Sequence, residues 1–135
     1  MKTSARRKRG TSIVETAAGL FIIIPIVLFL FDVAACVLAQ TANDSMCKSA
    51  ARAAAEADDA GKAQAAAQSA IDNFPAAGYI KSKRLAKPVA YDPNSSVTVV
   101  TEIICQFPVP IPFGGPAQMN FVTDMTEPVV GKLSK

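Results

Sequence analysis

The chain has 135 residues, a length for one domain, and half of them are hydrophobic. It carries 14 basic and 11 acidic residues, three cysteines and no histidine. Lack of histidine removes Ser-His-Asp, Cys-His and HExxH arrangements, and no CxxC spacing occurs, so hydrolytic and zinc chemistry are set aside.

The charge is unevenly placed. Lys2, Arg6, Arg7, Lys8 and Arg9 fall in the first ten residues with no acid among them, and beyond that stretch nine bases face 11 acids, a net −2. Alone, "RRKR" reads as a nucleic-acid or nuclear-targeting patch. Here an apolar run follows at once, Ala17 to Ala39, whose single charge is Asp32. As a helix that run reaches ~35 Å, enough for a ~30 Å hydrocarbon layer. The positive-inside rule then predicts a lipid-bilayer span, a cytoplasmic N-terminus and an extracytoplasmic segment 40–135, with no nucleic-acid partner.

In chain order, the first predicted element is one long helix starting near Thr11 or Ser12. Ser12 and Glu15 have the S-x-x-E form of a capping box. Pro25 lacks an N–H and should kink or loosen one turn, which a membrane or bundle can accommodate. "QTANDSMCKSAARAAAEA" (40–57) is rich in helix formers, so the helix is predicted to continue to about residue 57, as a stalk of roughly 70 Å. Asp58 or Asp59 can cap a second helix over 62–74, which Pro75 ends. Residues 79–96 read as loop with at most one short edge strand.

The period then changes to two. In "VTVVTEIICQF" one face carries Val97, Val99, Ile103, Cys105 and Phe107 with Thr101 among them, and the other carries Thr98, Glu102 and Gln106. "MNFVTDMTE" repeats the alternation, with Met119, Phe121 and Met125 opposite Asn120, Asp124 and Thr126. An antiparallel hairpin packed on the alanine-rich helices follows, with the proline-rich stretch 108–118 as its connection. The predicted class is α+β: a basic leader (1–10), a transmembrane and stalk helix (11–57), a short second helix and turn (58–78), and a small extracytoplasmic antiparallel hairpin or sheet (79–135).

Few residues carry chemistry. Glu56, Asp58 and Asp59 read as a helix end and charged turn, and Gly114-Gly115 stands between prolines rather than in a phosphate loop. No enzyme activity, metal, cofactor or small-molecule substrate is predicted. Asp32 reads as a helix-to-helix polar contact or a snorkelling side chain. Cys36 reads as a small apolar helix residue. "VAAC" (33–36) also fits a lipobox, although Asp32 precedes it and the helical pattern continues after it. Ala39 ends a passable secretory cleavage site, although the apolar run is long for one. Cys47 and Cys105 lie on the translocated side, oxidising in a bacterium, and can pair. Phe107, Ile111 and Phe113 in the apolar connection fold inward, touch the membrane surface, or dock on a partner.

"RRKRGTSIVE", the proline-containing apolar run and "KSAARAAAEA" together resemble the TadE-like minor pseudopilins of tight-adherence (Flp) pilus systems. More generally the start is similar to the type IV prepilin signature, a basic leader ending in glycine with glutamate at the fifth mature position. Thr16 stands where the family often has an aromatic residue. The resemblance implies cleavage between Gly10 and Thr11 by a membrane prepilin peptidase. It implies that Glu15 pairs with the terminal amine of a neighbouring subunit. It also implies a structural role in assembling, priming or regulating a pilus for surface attachment. The implied partners are other pilins or pseudopilins and the assembly platform, at the bacterial inner membrane. A single-pass tethered envelope protein, or a lipoprotein, with no role in a filament is the alternative.

Overall fold

The computed structural model describes residues 6–109 and 115–130, with side chains from Ser12 onward. Helix α1 runs from Arg6 to Ala55, 50 residues without interruption, or about 75 Å. It passes through Pro25 as one element. Its start lies upstream of the expected capping box: Ser12 sits inside the helix, and its carbonyl accepts from Thr16 Oγ1 at 2.8 Å. The basic residues 6–9 are good helix formers, so local propensity carries the helix past the hydroxyls. The other end tightens by a shorter bond from Ala57 N to Ala54 O, and the helix stops two residues before the expected point.

Helix α2 spans Ala60–Asp72. Asp59 is its N-cap, accepting from Lys62 N at 2.8 Å, one of the two aspartates expected there. At the far end Lys83 Nζ donates to the Asp72 carbonyl at 2.8 Å and also to that of Phe74, satisfying carbonyls the helix leaves open.

Strands β1 (Ile80–Leu85), β2 (Ala90–Tyr91), β3 (Ser96–Gln106) and β4 (Gln118–Pro128) form one antiparallel sheet. β3 is its centre. One edge pairs with β1 and then β2, and the other pairs with β4 without a slip from Ser96↔Pro128 to Gln106↔Gln118. The β3–β4 hairpin and its face alternation are as expected. β1 and β2 fall where mostly loop was expected. The cationic "IKSKRL" of β1 hides its period, and lysines on an edge strand discourage further pairing.

The C-terminal part of α1 and all of α2 cover one face of the sheet. Met46, Ala50, Ala51, Ala54 and Ala55 of α1, Ala63, Ala67 and Ile71 of α2, and Val97, Val99 and Ile103 of β3 form one buried cluster. Alanine lets the two helices approach closely, while Met46, Ile71 and the β3 residues supply the volume. A smaller cluster at the opposite end joins Ala35 and Ala39 to Cys105, with Tyr79 and Phe121 against them.

Candidate functional site

Helix α1 does two different jobs along its length. From Ser12 to Phe31 no residue is buried, and Phe21 is 82% exposed. Asp32 is the first buried residue, and a sheet-facing stripe then runs through Ala35, Ala39, Asn43, Met46, Cys47, Ala50 and Ala54. Apart from the adjacent Met46 and Cys47, these follow one another at three or four residues, so they share one helix face. The helix is long and apolar enough to cross a membrane. The free stretch 12–31 alone reaches ~30 Å, the thickness of a hydrocarbon layer. The sequence run had suggested a span to Ala39. Its last turns instead belong to the folded domain, because small residues at 35 and 39 suit a sheet as well as lipid.

Asp32 marks the boundary. Its carboxylate Oδ1 accepts from the backbone N–H of Val109 at 3.2 Å, and the residue is 4% exposed. An acceptor from the helix thus satisfies a backbone donor just beyond the end of β3. A buried carboxylate is costly without such partners. This contact is to the hairpin connection, in place of the helix-to-helix contact or snorkelling considered for Asp32. Val109 and half-buried Phe107 therefore hold the start of the connection beside the end of the domain from which the free apolar stretch of α1 projects. Phe107 N donates to Ala117 O at 3.1 Å, closing the connection at its base. Ile111 and Phe113 lie outside the described residues.

Three turns further along, a polar node crosses from helix to sheet. Asn43 has no exposed surface. Its Nδ2 donates to the Phe121 carbonyl at 2.9 Å and to Thr123 Oγ1 at 3.2 Å, while its Oδ1 accepts from Thr101 Oγ1 at 2.9 Å. Thr123 Oγ1 in turn donates to Asp44 Oδ1 at 2.8 Å, which also accepts from Gln40 Nε2 at 3.0 Å. One helix turn thereby grips both long strands in a fixed register. Sequence reasoning had placed Thr101 on the apolar face without giving it a partner. A lone polar residue on each of two facing apolar stripes was the available signal.

Glu15 is exposed on the free stretch, one turn along α1 from Thr11. Gly10 and Thr11 are within α1, with side chains outside the described set. The pairing that the sequence allows between Cys47 and Cys105 is not made. Cys47 packs against the middle of the hairpin, its thiol 3.4 Å from the carbonyls of Val99 and Thr123. Cys105 lies at the other end of β3, its sulfur 3.9 Å from the Ala35 carbonyl. Ala35 and Cys47 are about 18 Å apart along the helix axis, far beyond disulfide reach. The neighbour of Cys105 is Cys36, the residue next to Ala35. Burial, then the Cys36 sulfur, push the Cys105 thiol up from its ordinary value.

On the opposite, open face of the sheet, Arg84 and Asn120 converge on Glu102 from either side. Arg84 Nε donates to Oε2 at 2.7 Å and Asn120 Nδ2 to Oε1 at 3.1 Å. This bridge joins three strands and leaves the Arg84 side chain largely exposed, so it aligns the sheet more than it stabilises it. Among the described residues no three His, Cys, Asp or Glu side chains group as metal ligands. No protein-family model matches the sequence, and no curated protein or solved structure matches it either.

Proposed function

We propose that this chain is a structural minor pseudopilin, held in the bacterial inner membrane by residues 12–31 with its N-terminus cytoplasmic. Its role is to help assemble, prime or regulate a tight-adherence pilus, within the filament or at its base. It has no catalytic function of its own. The observation that carries this reading is the double use of α1. One helix is a bare apolar rod of bilayer length in its first part and the spine of a small α+β domain in its second. A subunit built this way can be drawn from lipid into a filament as one rigid piece, trading lipid contacts for helix contacts with its neighbours.

The leader supports the same reading. Cutting between Gly10 and Thr11 by a prepilin peptidase would leave a cationic amine one helical turn from Glu15. In the membrane that carboxylate needs a partner, and the amine of an adjacent subunit supplies one while setting the axial stagger. The rival cleavages fit the fold poorly. Cutting before Cys36 would remove Asp32 and Ala35, and cutting after Ala39 would remove both helix residues of the smaller core cluster. A tethered envelope protein outside any filament remains the second reading, since the anchor serves either.

Intact mass and N-terminal sequencing of the membrane-extracted protein test the proposal, together with Glu15→Ala. A mature chain starting at Thr11, and a Glu15→Ala variant that is processed normally but fails to assemble or co-purify with other pilin-type subunits, are expected. An intact Met1, a start at Cys36 or Gln40, or unaffected pilus formation by the variant would overturn it.

A further inference from the structure

Cys36 and Cys105 are neighbours where the hairpin's membrane-facing end rests on α1. Cys105 is fully buried, and its sulfur lies against the Ala35 carbonyl, one residue from Cys36. That contact makes Cys36 the cysteine beside Cys105. Cys36 is only half-buried, so a macromolecular reagent can reach that sulfur first. It stands five residues past Phe31, about 7 Å beyond the end of the free apolar stretch. The packing around the pair is thin: Ala35, Ala39, Tyr79 and Phe121 make up the rest of the cluster. Among the described residues, the Asp32 bond to Val109 is the polar side-chain contact that fastens this end of the sheet to the helix, beside the weak approach of the Cys105 sulfur to the Ala35 carbonyl. The third cysteine, Cys47, is buried a dozen residues away with its thiol against backbone carbonyls.

We propose that Cys36 and Cys105 form a disulfide in the mature protein, made by an extracytoplasmic thiol oxidase that carries a reactive disulfide. The Cys36 thiolate attacks one sulfur of the oxidase disulfide, whose other sulfur leaves as a thiolate. The Cys105 sulfur then loses its proton and attacks the Cys36 sulfur of this mixed disulfide, expelling the second oxidase thiolate. Two protons and two electrons leave the cysteine pair, one S–S bond forms, and the oxidase disulfide becomes a dithiol. The bond staples the membrane-facing end of the sheet to the helix, so the domain keeps one orientation on its rod. Cys47 stays a free thiol. This assignment rests on the topology in the preceding section, which puts both residues on the oxidising side.

The test is alkylation of the full-length protein from isolated membranes, trapped in acid, denatured, and analysed by mass spectrometry with and without reductant. One alkylated thiol without reductant, three with it, and a linked peptide pair containing Cys36 and Cys105 are expected. Cys36→Ala should expose Cys105 to alkylation without reductant. Three free thiols without reductant, or a link that includes Cys47, would overturn the assignment. A parallel sample of detergent-purified protein treated with oxidised glutathione identifies which premise fails. A link that forms there but never in cells rejects the assigned compartment, and with it the topology. A link absent from both samples rejects the pairing geometry and leaves the topology standing.

Discussion

Asn43→Ala removes the helix side of the polar node while leaving α1 intact as a helix. The buried Thr101 hydroxyl, which donated to Oδ1, loses its partner, and the half-buried Phe121 carbonyl loses the bond from Nδ2 while staying in the β3–β4 ladder opposite Ile103. Thr123 keeps its bond to Asp44. The orphaned buried hydroxyl costs roughly 1–3 kcal/mol and the lost bond to the carbonyl about 1 kcal/mol, so a loss of roughly 2–4 kcal/mol is expected. For a domain of about 100 residues this lowers Tm by roughly 10–25 °C. The assay is thermal unfolding in detergent micelles, followed through Tyr79 and Tyr91 fluorescence because the apolar helix will keep its own signal. The sharper readout is a double-mutant cycle with Thr101→Val. That change removes the orphaned hydroxyl and keeps the side-chain shape, so the double variant should recover about 1 kcal/mol relative to the sum of the singles. Strict additivity, or a loss below about 0.5 kcal/mol for Asn43→Ala, would refute the claim that this node joins helix to sheet.

Three other perturbations follow from the packing. Ile71→Ala empties the largest α2 side chain from the main core and should cost roughly 2–5 kcal/mol in the same unfolding assay; a cost under 1 kcal/mol would mean that α2 is not anchored there. Asp59→Ala removes the N-cap of α2 and should cost about 1 kcal/mol, with faster amide exchange confined to the first turn of that helix. Asp32→Leu leaves the Val109 amide without its acceptor and should raise its hydrogen exchange about tenfold, whereas Asp32→Asn, which keeps an oxygen at Oδ1, should change it little.

Parts of this architecture were legible because burial on one side writes a period into the chain. The alternation in β3 and β4 gave their inward residues, and an aspartate before an alanine-rich run gave the α2 cap. β1 was hidden because only Ile80 and Leu85 at its ends are apolar, and its pairing is dictated by the neighbouring β3 edge. The helix start was misplaced because a capping box competes with flanking residues that are themselves good helix formers. The end of the free apolar stretch could not be read from apolar content, since Ala35 and Ala39 suit both lipid and a close-packed sheet. The cysteines show the same limit. Compartment allowed Cys47 to pair with Cys105, but only the fold reveals that Cys36 neighbours Cys105 while Cys47 sits at mid-hairpin. Asn43 and Thr101 are 58 positions apart, and nothing local in either stretch announces their bond.

The central claim is that α1 leaves the bilayer at Asp32 and continues as the spine of the folded domain. Labelling by a membrane-impermeant maleimide from the extracytoplasmic side tests it, using single Phe21→Cys and Ser45→Cys variants compared with the unsubstituted protein. Both positions are exposed on the bare protein. In the membrane, Ser45→Cys should label rapidly and Phe21→Cys should stay protected until detergent is added. Equal labelling of the two before detergent would contradict the account, because it would place residues 12–31 in water.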